Sequence, residues 1–201
     1  MTFGVLFVCT GNVCRSPTAE LLFRAWADSD AAVTVSSAGT HALVGHGIDR
    51  ASATALAQLG IDPSRHRARQ FETWMARDAD LILTAGRQHR DLLITELPPL
   101  HRRTFTIKEF GRLVGNGDGH PDPREVVEAV AARRGANPPA SPNDDDIRDP
   151  YKAQVKHAKT IAEEITECVY PTVAALGFAA PAWNAARVHR DRDDSGRPSP
   201  Y

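Results

Sequence analysis

Val5-Leu6-Phe7-Val8-Cys9-Thr10-Gly11-Asn12-Val13-Cys14-Arg15-Ser16-Pro17 is the stretch whose reading decides this chain. Its apolar opening reads as a buried strand, Cys9 to Arg15 as a tight loop, and Ser16-Pro17 as a helix start. A strand that passes straight into a helix aims backbone N–H groups into one concavity, and amides plus helix N-terminus make an anion site. Cys9 lies at the floor of that site, where the positive potential favours thiolate over thiol. Arg15 can close the opposite side with a bidentate grip on a phosphate or similar oxyanion. A nucleophile beneath a bound phosphoryl group implies attack at phosphorus.

Cysteine and arginine at this spacing mean little alone, because the chain is rich in arginine and free cysteines are usually small core hydrophobes. The combination carries the reading. A strand precedes the loop, Gly11 and Asn12 can take positive φ within it, and Ser16-Pro17 opens a helix after it.

The 201 residues suit one domain with decorations, and 42% hydrophobic and 24% charged residues are ordinary for a globular protein. A formal net charge of -1 gives no reason to expect nucleic acid or an anionic membrane as partner. Three cysteines make no disulfide framework, and thiolate chemistry needs a reducing compartment. No apolar run reaches membrane-spanning length and no signal peptide is evident, so a cytoplasmic location is expected. Eight histidines invite a metal reading, but none pairs at His-x-x-x-His spacing with a carboxylate, so neither metal nor cofactor is expected.

Downstream, Ala19, Leu22, Phe23 and Trp26 recur at helical spacing and predict a helix over 17–28. Strands are expected at Ala32–Ser37, Leu81–Thr84 and Thr104–Ile107, and helices at Asp49–Leu59, Glu72–Asp78, Gln88–Glu96 and Glu109–Leu113. Alternating strands and helices argue for an α/β fold, an open parallel sheet covered on both faces, with its ligand beyond the strand carboxyl ends. Residues 114–147 differ. They hold a flexible Gly115-Asn-Gly-Asp-Gly119, a possible helix at Arg124–Arg134 and a Pro-, Asn- and Asp-rich run, which suits either a lid or a mobile loop. From Tyr151 the pattern is helical again, with Cys168 on the apolar stripe and Pro171 expected to kink or restart the helix. The tail, residues 179–201, is expected to be disordered.

A phosphate ester needs a general acid for its leaving oxygen. Asp62-Pro63, Asp122-Pro123 and Asp149-Pro150 each keep a carboxylate in extended backbone, and local sequence favours none of them.

Cys9-Thr-Gly-Asn-Val-Cys-Arg-Ser16-Pro17 resembles the opening phosphate loop of the low-molecular-weight protein tyrosine phosphatase family, in its bacterial branch, and the resemblance extends over residues 3–178 with one interruption. It implies a flavodoxin-like, four-stranded parallel sheet of order 2-1-3-4, with 1–178 as the phosphatase domain and 114–147 as an enlarged connection before the acid. Cys9 would be the nucleophile and Arg15 the phosphate grip. Thr10, Gly11, Asn12, Val13, Cys14 and Ser16 would complete the phosphate loop. Ser16 can cap the helix or support the Cys9 thiolate. The family acid lies in Asp-Pro-Tyr, which selects Asp149-Pro150-Tyr151. Asn12 would brace the loop through Ser37, and His66 in His66-Arg-Ala-Arg-Gln70 would support Asn12. Cys14 would form a recoverable disulfide with Cys9 under oxidant.

The resemblance also ranks substrates. Thioredoxin-linked arsenate reduction needs two further cysteines in a mobile segment, and residues 80–95 hold none. Arginine phosphatases carry threonine where Val13 stands. Val13 and Asp-Pro-Tyr therefore point to phosphotyrosine, with arginine phosphatase or a catalytically weak phosphate-binding protein as alternatives. Leu43 stands where many members have Trp, so Leu43 and Tyr151 would wall a less aromatic pocket. Such a loop resembles the branch whose partners are tyrosine kinases of polysaccharide export. A monomer or weak dimer is expected.

Overall fold

Seven consecutive residues, Phe3–Cys9, form β1, the strand around which the sheet is laid. The structure is a computed structural model that describes residues 2–114 and 122–180. The Gly115–Gly119 turn and nearly all of the tail, 181–201, lie outside the described residues. The elements that follow are α1 (Arg15–Trp26), β2 (Val33–Gly39), α2 (Arg50–Gln58), α3 (Thr73–Asp78), β3 (Leu81–Thr84), α4 (Arg87–Glu96), β4 (Thr104–Thr106), α5 (Ile107–Leu113), α6 (Pro123–Arg133) and α7 (Val155–Ala175). The four strands form one parallel sheet in the order β2-β1-β3-β4, as expected.

Strand period puts Phe3, Val5 and Phe7 on one face of β1 and Leu6 and Val8 on the other, so both faces must be covered. The first set packs in a large cluster with α1, α2, α5, α6 and α7 residues such as Phe23, Leu56, Phe110, Val126 and Ile165. The second set meets Ala76 of α3 and Leu93 of α4 in a smaller cluster. Phe7, Phe23 and Phe105 are wholly buried, and truncating any of them to Ala should cost about 3–5 kcal/mol.

Strand β2 spans Val33–Gly39 rather than Ala32–Ser37, because Ala38 and Gly39 pair with β1, and three further expectations are corrected. The first concerns α1, which begins at Arg15 rather than at residue 17. Thr18 N already donates to Cys14 O at 3.0 Å, and Ser16 sits inside the first turn without capping it. The second concerns the last helix, which begins at Val155, not at Tyr151. Lys152 takes a left-handed φ of 57° and Ala153 N bonds to Pro150 O, a turn that delays the helix. The third concerns Pro171, which does not restart the helix as a second one: α7 runs unbroken over Val155–Ala175. The carbonyl its missing N–H would have served belongs to the exposed Glu167, where water can reach it, and Thr172 Oγ1 donates to the next one, Cys168 O.

Helix α6 belongs to the core rather than to a cover over the site: Val126, Val127 and Val130 are buried in the main cluster. Just past it, Arg134 pairs with the buried Glu109 at 2.8 Å and lies 4.1 Å over the Phe105 ring. Arg112 Nη2 then donates to both carboxylate oxygens of Asp145, at 2.9 and 3.1 Å. These contacts anchor the chain that leads to Asp149.

Candidate active site

The loop after β1 is shaped by where its carbonyls go. Thr40 N donates to Cys9 O, His41 N to Thr10 O and Leu43 N to Gly11 O, at 2.9 to 3.0 Å. His66 Nε2 lies 2.7 Å from Asn12 O. Asp49 N reaches Val13 O at 2.8 Å and Thr18 N reaches Cys14 O. Six consecutive carbonyls are thus bonded from outside, which turns the amides between them toward the concavity.

Asn12 makes that path possible. Its φ is 53°, a left-handed value that Asn tolerates. Its Nδ2 donates to Ser37 Oγ at 2.8 Å and Ser16 Oγ at 3.0 Å, and its Oδ1 accepts from Arg69 N at 2.9 Å. Ser37 in turn donates to Glu20 Oε2 at 2.5 Å, and Glu20 pairs with Arg24. Ser16 Oγ lies 2.9 Å from Cys9 Sγ. Because Asn12 is the donor to Ser16, the Ser16 proton is free to point at the sulfur or at Ala38 O, 3.4 Å away.

One pocket is lined by Cys9, Thr10, Gly11, Val13, Cys14, Arg15, Leu43, Asp149 and Tyr151, together with His41. Asn12, Ser16, Ser37 and His66 lie behind it and hold the loop. Arg15 is 5% exposed, and its Nη2 pairs with Asp149 Oδ2 at 2.8 Å while Nη1 donates to Ile147 O at 3.2 Å. Arg15 Nε is buried without a partner. Asp149 is brought to the pocket by the segment just before it. Asp146 Oδ1 accepts from Arg87 N at the start of α4, and Ile147 N donates to Ala85 O at the end of β3.

The other two Asp-Pro pairs have local duties. Asp122 is the N-cap of α6, accepting from Arg124 N with Pro123 in the first turn, and Asp62 bonds Ser64 in an exposed turn. Cys14 is buried, and burial pushes its thiol up to about 12, against a lowering contribution from the Ser52 side chain. Cys168 is half-buried between α5 and α7, so close to Gly111 that a Cβ there would lie 2.9 Å from the Cys168 Cα.

Sequence reasoning missed His41, His89, Gly39 and Asp146. His41 follows β2 by two residues and lines the mouth. His89 lies in the first turn of α4, 3% exposed, with Nε2 2.9 Å from Thr10 Oγ1. Their only signal was position, just beyond the carboxyl ends of strands that neighbour β1. Gly39 is a contact glycine: a Cβ there would meet Thr10 O at 2.4 Å and Asn12 N at 3.0 Å. Among the described residues no three His, Cys, Asp or Glu converge to hold a metal ion, and no helix is long and apolar enough to cross a membrane.

A thiol, an arginine and a carboxylate around a cup of inward amides can bind an oxyanion, attack it and protonate what leaves. Comparison with known proteins agrees with that chemistry. Residues 4–131 match the family described as low molecular weight phosphotyrosine protein phosphatase. The chain is 38% identical over 133 residues to the low molecular weight protein-tyrosine-phosphatase Wzb of Salmonella typhi, covering 63% of this chain and 83% of that one. The crystal structure of the Erwinia amylovora tyrosine phosphatase AmsI superimposes with a TM-score of 0.65 at 27% identity, over 88% of this chain and 94% of that one. The arginine phosphatase YwlE of Geobacillus stearothermophilus shares the fold, with a TM-score of 0.63 at 21% identity over 98% and 99% of the two chains.

Proposed function

The chain belongs to the low molecular weight phosphotyrosine protein phosphatase family, and on that premise we propose that it hydrolyses phosphotyrosine in proteins with Cys9, Arg15 and Asp149 as catalytic residues. The observation that carries this is the convergence of those three side chains on one pocket floored by the loop amides. A phosphoryl group entering the cup takes over the Arg15 Nη2–H now held by Asp149 and supplies a partner for the unpaired Nε. Cys9 sulfur then attacks phosphorus. The S–P bond forms as the P–O bond to the tyrosine oxygen breaks, and protonated Asp149 gives its proton to that oxygen. Arg15 and the amides hold the equatorial oxygens as charge spreads over them. Water, deprotonated by Asp149, next attacks the thiophosphoryl group and releases phosphate and the Cys9 thiolate. Ser16 supports that thiolate from 2.9 Å.

Val13 and Leu43 present apolar walls and Tyr151 an exposed ring, which suits an aryl phosphate. The expected partner is a cytoplasmic phosphotyrosine protein, a bacterial tyrosine kinase among the candidates. Cys14 is assigned as the resolving thiol for oxidised Cys9, the pairing that the family resemblance implies; burial keeps the resting thiol protonated. Residues 122–147 of the enlarged connection serve to anchor the acid loop, through Arg134 on Glu109 and Asp145 on Arg112.

The test is hydrolysis of para-nitrophenyl phosphate in EDTA by wild type, Cys9→Ser and Asp149→Ala, followed by phosphotyrosine and phosphoarginine peptides. Activity should survive the chelator, vanish with Cys9→Ser, fall sharply with Asp149→Ala and favour phosphotyrosine. Preference for phosphoarginine would replace the substrate assignment. No turnover by reduced wild type would leave a phosphate-binding protein.

A further inference from the structure

His89 is buried, belongs to no step described above, and touches the phosphate loop. Core histidines usually have both ring nitrogens satisfied, but here buried Nδ1 makes no well-formed hydrogen bond, and the Gly86 carbonyl alone of the backbone acts on the ring. An apolar side chain would carry no such cost, so the position calls for a reason in what Nε2 does.

Nε2 lies 2.9 Å from Thr10 Oγ1, and that same oxygen is 3.5 Å from Arg15 Nη2. Arginine only donates, so Thr10 Oγ1 accepts from Arg15 and has its own proton left to give. His89 Nε2 takes it, provided the ring is neutral with its hydrogen on Nδ1. Burial keeps the ring neutral, lowering its pKa to about 4, and Arg15 acts in the same direction. The Gly86 carbonyl, Asp146 and Asp149 oppose that shift without overcoming it.

Arg15 Nη2 has two hydrogens, one pointed at Asp149 and one at Thr10. When a phosphoryl group replaces Asp149, Thr10 and Ile147 O are the contacts that still fix the guanidinium plane. We propose that His89 is a positioning residue for phosphoryl binding: it orients the Thr10 hydroxyl as an acceptor for Arg15 and so sets the guanidinium edge that grips the phosphate. This rests on the assignment of Arg15 as that grip.

The experiment measures inorganic phosphate binding by titration calorimetry, and kcat and KM on para-nitrophenyl phosphate, for wild type, His89→Leu, His89→Gln, Thr10→Val and the double variant His89→Leu/Thr10→Val. His89→Leu and Thr10→Val should each weaken phosphate binding about ten-fold, as for a lost hydrogen bond to a charged group. The double variant should be no weaker than Thr10→Val alone, because both changes break one relay. His89→Gln, whose amide oxygen can take the Thr10 proton, should recover binding to within about three-fold of wild type. Multiplied losses in the double variant, or unchanged phosphate affinity with a lowered melting temperature in His89→Leu, would overturn the proposal. Wild type that binds phosphate without turning over substrate would sink the catalytic assignment, while the binding comparison would still decide the role of His89.

Discussion

Replacing Asp149 by Asn should move binding and turnover in opposite directions. In the free site Asp149 Oδ2 occupies an Arg15 hydrogen that a phosphoryl group must take over. Asp149 is 49% exposed, so the ion pair contributes only about 0.2–1 kcal/mol after solvent screening. A carboxylate some 4–5 Å from a phosphate dianion adds repulsion of about 2 kcal/mol in a water-like dielectric. Removing both should tighten inorganic phosphate binding about 40- to 150-fold. Losing the general acid should lower kcat about 10²- to 10⁴-fold. The loss should be larger for phenyl phosphate than for para-nitrophenyl phosphate, because nitrophenolate leaves without help. Phosphate inhibition constants at pH 7 and steady-state rates on the two esters measure all of this. Weaker phosphate binding in Asp149→Asn would refute the competition between carboxylate and phosphate. Equal losses on both esters would refute the proton-donor role.

Gly39→Ala forces a Cβ to 2.4 Å from Thr10 O and should destabilise the protein by about 1–3 kcal/mol and cut kcat/KM at least about ten-fold, whereas Gly47→Ala, with open space around it, should do neither; thermal melting and para-nitrophenyl phosphate assays check both. The native state of His89 takes up its proton near pH 4 and the unfolded state near 6.5. Stability should therefore be complete above the unfolded value and fall by on the order of 3 kcal/mol as pH drops from about 7 to about 4. Denaturant midpoints of wild type against His89→Gln at pH 7.5 and 4.5 should show that difference shrinking in the variant. Under hydrogen peroxide, wild type should lose activity that dithiothreitol restores, and Cys14→Ala should lose it irreversibly; equal recovery in both would remove Cys14 from the redox role.

The loop could be read because its demands are local. A strand, an Asn able to take positive φ, and Ser-Pro in a first helical turn constrain their own backbone, whatever surrounds them. Val5–Cys9 and Leu81–Thr84 are apolar runs that only a sheet covered on both faces can bury. One boundary error fell where a distant partner decided the matter: strand β2 runs on to Gly39 because Ala38 and Gly39 pair with Val8 and Cys9 of β1. Another was local, since the last helix waits for the left-handed turn at Lys152.

By itself the sequence located most strands and helices and the Cys9–Arg15 loop, since each rests on spacing within a dozen residues, and the alternation of those elements argued for a parallel sheet. Local sequence favoured none of the three Asp-Pro dipeptides, because all impose the same extended backbone, and only the resemblance to the family pointed to Asp149. The tertiary structure gives them different surroundings, with Asp122 in a helix cap, Asp62 in a turn and Asp149 against Arg15, 134 positions earlier in the chain. It also decided the place of His89 and Gly39, which meet the phosphate loop across the sheet end, His89 at Thr10 and Gly39 at Thr10 and Asn12. Side-chain chemistry is written residue by residue, but convergence depends on how strands pair and what covers them, and no local pattern encodes that.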